Sequence, residues 1–278
     1  MSDCSSAALI QKTLARVRAL AHPRTRRVEG CFWIEGVRSF VQACDAKLAV
    51  DTVVFSPILL KSPLVEKLVR RQAAAGAARV RVSPEQFRTI CTTPRASGIG
   101  AIVRQTWMPL AQADPSHGLC WLIVEAIRSP GNLGTILRTA DACSVGGIIF
   151  VGPQCDPFDP TVLRASMGGI CHLPLVRTTH EELGRWAQRH PVSFVGLSPD
   201  AECPWTETPI TGPLGLVIGE EREGLSSRLR TLCHTLVSLP MAGHADSLNV
   251  GVATGVMLYE MVRRRPPQGR CRMRNAES

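Results

Sequence analysis

WLIVEAIRSPGNLGTILRTADACSVGGIIFV, residues 121–151, opens with an apolar strand pattern at Trp121–Glu125 and turns through the Pro-Gly loop Arg128–Asn132. It then takes a helical pattern over Leu133–Ser144 and closes on an isoleucine-rich run, Gly147–Val151. Strand, helix and strand in that order form a βαβ unit, whose crossover makes the two strands parallel. Working outward, Glu181–Arg189 reads as a helix, and Val192–Leu197 and Leu214–Ile218 as further strands, each ending in a loop of small or charged residues. Thr235–Pro240 reads as a last strand and Ser247–Arg264 as a long closing helix, with Val250, Ala253, Met257 and Met261 along its apolar stripe. This is an α/β domain on a parallel sheet, and its ligands should gather at the strand ends.

The N-terminal part has a different rhythm. Residues 6–20 place Ala7, Ile10, Leu14, Val17 and Leu20 on one helical face, with Lys12, Arg16 and Arg18 elsewhere. After the basic stretch His22–Arg27, apolar segments at Cys31–Ile34, Thr52–Phe55, Arg79–Val82 and Ile99–Arg104 alternate with helical patterns at Gly36–Ala46 and Pro63–Ala75. Ser83-Pro84-Glu85-Gln86 reads as a capped helix start, with the helix running to about Cys91. A Pro, Asp and Ser cluster near residue 115 suggests a linker. The expected organisation is an N-terminal helix and basic stretch (1–27), a smaller α/β domain (28–110), the parallel-sheet domain (118–265) and a basic, mobile tail (266–278).

Charge divides along the same line. The net charge is +9, and residues 1–115 carry 17 Lys and Arg against 8 Asp and Glu, whereas residues 116–278 carry 15 of each. The basic half is suited to phosphates. No apolar run approaches the roughly 20 residues that a membrane span needs. Met1–Ile10 lacks a basic start and an apolar stretch, so a cytoplasmic protein is expected. Eleven cysteines are scattered singly with no CxxC pair, which favours reduced, mostly buried thiols and no metal site.

Three loops carry the chemistry. In Ser129–Ala142, Pro130-Gly131 turns the chain, Asn132 can cap the helix, and Gly134 permits close backbone approach. Arg138 lies one turn in from that cap, where a cation is disfavoured unless an anion is near. In Leu214–Ser226 an apolar strand runs into Gly219, the pair Glu220-Glu221, and Gly224, as suits a tightly turned ligand loop; metal binding or acid-base work would need a further ligand nearby. In Ser238–Glu260, Pro240 ends a strand, and Ser247 can cap the helix with Asn249 beside it, where free backbone N–H groups can receive a carboxylate or phosphate.

Together these loops resemble the SpoU/TrmH family of RNA ribose methyltransferases. Its Asn, Gly and Arg are met by Asn132, Gly134 and Arg138, and its Gly-x-Glu-x-x-Gly-Leu by Gly219, Glu221, Gly224 and Leu225. Its third motif is met by Pro240, Met241, Gly243, Ser247, Leu248, Asn249 and Val250, and Leu163–Gly168 looks like the segment between the first two motifs. Residues 28–106 resemble, more loosely, the ribosomal-protein-like substrate-binding domain that many members carry. Two positions depart from the pattern: Glu220 stands where many members have Asn, and Gly251 where Ser or Ala is common.

The resemblance implies a deep trefoil knot of the SPOUT type in the parallel sheet, a homodimer, and S-adenosylmethionine as cofactor. It implies a cofactor pocket at Leu197, Gly219, Glu220, Leu239, Met241, Ser247 and Leu248, and a catalytic group of Arg138 with Asn132, Glu221, Ser247 and Asn249. An arginine is normally protonated, so Arg138 acts as a base only through a neighbouring phosphate, or else it positions the ribose. Arg24, Arg26, Arg27, Arg38 and Arg164 are the candidate RNA contacts. The implied substrate is structured RNA, with 23S ribosomal RNA ahead of tRNA. A non-catalytic RNA-binding protein of the same fold is the rival reading, which the intact motifs oppose. A nicotinamide or nucleotide enzyme is the other, and no GxGxxG or GxxxxGK[ST] follows Trp121–Glu125 to support it.

Overall fold

Ser6 accepts a hydrogen bond from the Leu9 N–H (3.3 Å) and starts the first helix, α1 (Ala7–Ala19). The structure, a computed structural model, describes residues 6–93, 95–153, 155–208 and 210–264; the expected tail 266–278 lies outside them. The basic stretch after α1 is itself a helix, α2 (Pro23–Glu29), begun by a proline in its first turn and ended by Gly30 at φ 60°. There follow β1 (Cys31–Glu35), α3 (Val37–Asp45), β2 (Val50–Phe55), α4 (Pro63–Ala74), β3 (Ala78–Arg81), α5 (Pro84–Arg88) and β4 (Ile99–Arg104). Ser83 and Gln86 form a reciprocal capping box on α5, which ends at Arg88, short of Cys91.

The remaining elements are β5 (Trp121–Glu125), α6 (Pro130–Ala142), β6 (Gly147–Val151), α7 (Pro160–Ala165), β7 (Leu175–Thr178), α8 (His180–Arg189), β8 (Ser193–Leu197), β9 (Leu214–Ile218), α9 (Ser227–Leu232), β10 (Thr235–Val237) and α10 (Val250–Arg264). Two compact units form, and neither is one run of sequence. The first gathers Met1–Trp107, Ile127–Asp141 and Gln154–Leu173; the second gathers Met108–Ala126, Ala142–Pro153 and Pro174–Ser278.

In the first unit a four-stranded sheet has the order β1-β4-β2-β3, with β2 and β3 parallel and the other pairs antiparallel. Leu14, Val17 and Leu20 of α1 pack with Trp33, Val54, Val80, Phe87 and Ile102, so the amphipathic face read from the sequence is the face that is buried. The second unit has a six-stranded sheet, order β10-β8-β9-β5-β6-β7, in which every neighbouring pair is parallel. β5, β6 and β9 are buried along their whole length, as both-face coverage of a parallel sheet requires. Their core joins Trp121, Ile123, Ile149, Val217 and Phe194 with Leu183 and Trp186 of α8. The strand order grows outward from β5 to β7, then restarts on the other side with β8, β9 and β10. That reversal falls between β5 and β9.

The nine cysteines among the described residues are all free. Burial pushes the Cys143 thiol up to about 11 and the Cys171 thiol to about 12. At pH 8 each should be thiolate in on the order of 0.1% of molecules or less. Iodoacetamide should leave both unmodified in the native protein and label them in urea, as peptide mass spectrometry can read; native-state labelling would contradict the packing.

Candidate functional site

Three strand-end loops of the second unit close one cavity of about 170 Å³. β8 delivers Leu197, β9 delivers Gly219, Glu220 and Glu221, and the segment after β10 delivers Leu239, Met241, Ser247 and Leu248. All seven expected cofactor positions therefore line the same space, and Glu221 joins them. The loop after β9 is held tight: Glu220 and Gly224 exchange backbone hydrogen bonds (3.0 Å each), and the Glu220 carboxylate accepts from the Glu223 N–H (2.8 Å). Glycine is required at 219, because a Cβ there would meet the Gly224 carbonyl and lie 2.5 Å from the Leu225 nitrogen.

Two polar groups, the buried Glu125 and the part-exposed Arg230, fix this loop. Burial alone would raise the Glu125 carboxyl, but hydrogen bonds from His180 and from the Ser226 N–H (3.0 Å) outweigh it and hold the group below its ordinary value. Arg230 spans two loops: its Nε donates to the Leu225 carbonyl (3.3 Å), and its guanidinium donates to the Ser198 hydroxyl (2.9 Å) and faces Asp200 at 3.8 Å. Ser198 is itself buried and lines the cavity. Neither Glu125 nor Arg230 stands in a sequence motif singled out above; only their tertiary partners reveal them.

The α10 cap falls two residues later than expected. Asn249 Oδ1 accepts from the Gly251 N–H (2.9 Å) and the Val252 N–H (3.3 Å), so Asn249 caps the helix and Ser247 is left to the cavity lining. β10 likewise ends at Val237, before Pro240. Residues 240–249 are exposed throughout, as are Val252, Val256, Tyr259 and Val262 on one side of α10.

Asn132 and Arg138 lie in the first unit, on α6, and line no part of this cavity. The helix begins at Pro130, so Asn132 sits inside the first turn, where its N–H reaches the Ser129 hydroxyl (3.4 Å). Arg138 is therefore more than two turns in. The macrodipole fades within the first turn, so the helix end gives no reason for an anion there. What the structure offers instead is an exposed guanidinium without a hydrogen bond or ion pair to any described residue. Gly134 gives α6 its close approach to α7, since a Cβ would collide with Ala165 and lie 2.9 Å from the Val162 carbonyl.

Among the candidate RNA contacts, Arg24, Arg27, Arg38 and Arg164 are exposed. Arg26 is a correction. It is 1% exposed, donates to Asp156 (2.8 Å), Asp159 (3.4 Å) and the Leu20 and Ala21 carbonyls (2.9 and 2.8 Å), and is spent inside the fold. The i, i+3 period of the short α2 puts Arg24 and Arg27 on one face and turns Arg26 inward.

A parallel sheet whose order reverses beside β9, with glycine-turned loops around a cavity at its strand ends, defines a doubly wound α/β ligand-binding protein. Comparison with known proteins narrows that class. The SpoU rRNA Methylase family matches residues 120–259, and the MRM3-like substrate binding domain matches residues 12–101. The chain is 31% identical to a 23S rRNA (uridine(2479)-2′-O)-methyltransferase of Streptomyces viridochromogenes, over 89% of this chain and 88% of that one. It is 34% identical to the 23S rRNA (guanosine-2′-O-)-methyltransferase RlmB of Ralstonia nicotianae, over 69% and 80%. Several other curated relatives align over only 58–60% of their own length. The crystal structure of an AdoMet-bound rRNA methyltransferase from Sinorhizobium meliloti superposes with a TM-score of 0.85 at 31% identity, covering 94% of this chain and 97% of that one. The chain belongs to the SpoU rRNA methylase family.

Proposed function

We propose that this protein transfers a methyl group from S-adenosylmethionine (AdoMet) to a ribose 2′-hydroxyl of structured RNA, with 23S ribosomal RNA as the substrate. The observation that carries this reading is the convergence of Leu197, Gly219, Glu220, Leu239, Met241, Ser247 and Leu248 on one cavity. The donor set suits the cofactor: aliphatic side chains for the adenine faces, loop backbone groups for its edges, and the acids Glu220, Glu221 and Asp246 for a cationic sulfonium. When bound, AdoMet supplies an electrophilic methyl group.

The protein's part is alignment. Arg138, whose guanidinium bonds no described residue, is the group assigned here to hold the ribose and its phosphate by charge-assisted hydrogen bonds. Asn132, Glu221, Ser247 and Asn249 are the residues assigned here to orient the loops they stand in. In this reading residues 118–265 form the methyltransferase domain with the family's knotted sheet and residues 28–110 form the RNA reader, while the RNA phosphates are met by Arg38 of that reader and by Arg24, Arg27 and Arg164 outside it. The protein works in the cytoplasm as a homodimer, which would cover the exposed apolar side of α10 and the exposed loop 240–249.

Incubation with methyl-tritiated AdoMet and separate ribosomal RNA and tRNA pools should place the label on a ribose of 23S rRNA. No transfer to either pool, together with no AdoMet binding by calorimetry, would sink the enzyme reading. Arg230 offers a finer test, because it fixes the Ser198 and Leu225 loops without lining the cavity itself. Arg230→Met should weaken AdoMet binding about tenfold, a cost of ~1.4 kcal/mol. An unchanged Kd would separate those loops from the pocket.

A further inference from the structure

The cavity at the strand ends of the second unit carries its charges unevenly. The acids Glu220, Glu221 and Asp246 line it, and Arg222 is the one cation among its lining residues. Arg222 stands at the apex of the turn after β9. The base of that turn is closed by the Glu220–Gly224 bridge, with Gly224 at φ 69°, so the backbone that carries Arg222 is held in place before any ligand arrives. The guanidinium is exposed and bonds no described residue.

Asp246 comes from a different loop, between β10 and α10, and is in the same condition. It lines the cavity, is exposed, and bonds no described residue. The other two acids are engaged: Glu220 accepts from the Glu223 N–H (2.8 Å), and Glu221 has a contact of its own. A cation and an anion thus line one cavity from two loops and pair neither with each other nor with any described residue. That arrangement complements a ligand that carries both signs close together.

AdoMet has such a part. Besides its sulfonium it carries an α-amino acid end, with a carboxylate and an ammonium on the same carbon. Acids can answer the sulfonium and the ammonium, but they repel the carboxylate. Arg222 is the lining residue that can receive it, through two parallel N–H···O bonds. Leu197, Ile218, Leu239 and Leu248 offer nothing to either charge and suit the adenine instead.

We propose that Arg222 and Asp246 bind the amino-acid end of AdoMet, Arg222 taking the carboxylate and Asp246 the ammonium. The proposal rests on the AdoMet reading given above and deepens it, because it gives the cofactor a direction in the cavity. It also has a consequence for turnover. The product S-adenosylhomocysteine keeps the same end, so this contact holds product as well as cofactor and contributes nothing to telling them apart.

Calorimetry on the full chain with three ligands tests the assignment. S-adenosylhomocysteine shares the amino-acid end of AdoMet but lacks the sulfonium charge; 5′-methylthioadenosine lacks the amino-acid end. Arg222→Ala should weaken AdoMet and S-adenosylhomocysteine about tenfold each and change 5′-methylthioadenosine by less than about twofold. Arg222→Lys should recover only part of the loss, since it keeps the charge without the paired N–H geometry. Asp246→Asn should weaken the same two ligands about fivefold and spare the third. Equal losses for all three ligands would mean that the substitutions deform the pocket, and would overturn the assignment. Unchanged AdoMet affinity in Arg222→Ala would overturn it too, and a simultaneous fall in 23S rRNA affinity would give Arg222 to an RNA phosphate. A parent protein that binds none of the three ligands would overturn this proposal and the AdoMet reading together.

Discussion

Arg138→Ala should lower single-turnover methyl transfer at least a hundredfold while leaving the AdoMet Kd within a factor of two. The rate loss follows from the role proposed for it: a group that aligns the reacting oxygen contributes on the order of 10²–10⁴ in rate. The spared cofactor affinity follows from its place, because Arg138 lines no part of the cavity proposed for AdoMet. Stability should move little, since the guanidinium is exposed and makes no ion pair with a described residue. Arg138→Lys should not restore the rate, because an ammonium keeps the charge but loses the planar fork that grips ribose and phosphate together. Rapid-quench measurement with tritiated AdoMet separates these outcomes. Undiminished transfer in the alanine variant would show that another residue aligns the ribose.

Arg26→Ala is expected to destabilise the first unit by on the order of 3 kcal/mol. The guanidinium is 1% exposed and satisfies two carboxylates and two carbonyls. Its removal leaves the Leu20 and Ala21 carbonyls without their donor and sets Asp156 and Asp159 beside a void. The estimate sits at the low end for a broken buried pair because Asp156 and Asp159 are 24% and 31% exposed and water can reach them. Urea unfolding should show the loss as a lower midpoint with little change in slope. A change under about 0.5 kcal/mol would mean that Arg26 is no more than a surface residue.

Arg26 also marks where sequence reading stopped. Three arginines in His22–Arg27 look alike in a linear sequence, and only α2, with its inward face, tells Arg26 from Arg24 and Arg27. The helix was signalled by Pro23 ahead of it and Gly30 after it, but the run of positive charge masked both. β7 went unread because it has only four residues and Arg177 faces outward from an edge strand. The parallel strands β5, β6, β8 and β9 were legible, since continuous burial leaves continuous apolar runs. The cap of α10 was ambiguous for a local reason: Ser247 and Asn249 are both good caps two residues apart, and tertiary packing of Ala253, Met257 and Met261 chose between them. The expected cavity residues were recoverable because the family resemblance carried them over from the strand ends, whereas Ser198, Pro199, Arg222 and Asp246 of the same lining were not. Glu125 and Arg230 were not, for their partners lie 101 and 32 residues away in the chain.

The composition of the first unit bears on how the chain comes off the ribosome. Arg26 and Asp156 are 130 residues apart. At a synthesis rate of about 5–20 residues per second, Arg26 waits roughly 6–26 s for its carboxylate partner. During that interval the nascent first unit cannot reach its final stability, and it is open to chaperones. The same arithmetic governs engineering. A graft of residues 1–107 onto another protein would arrive without Ile127–Asp141 and Gln154–Leu173, the two segments that complete its packing.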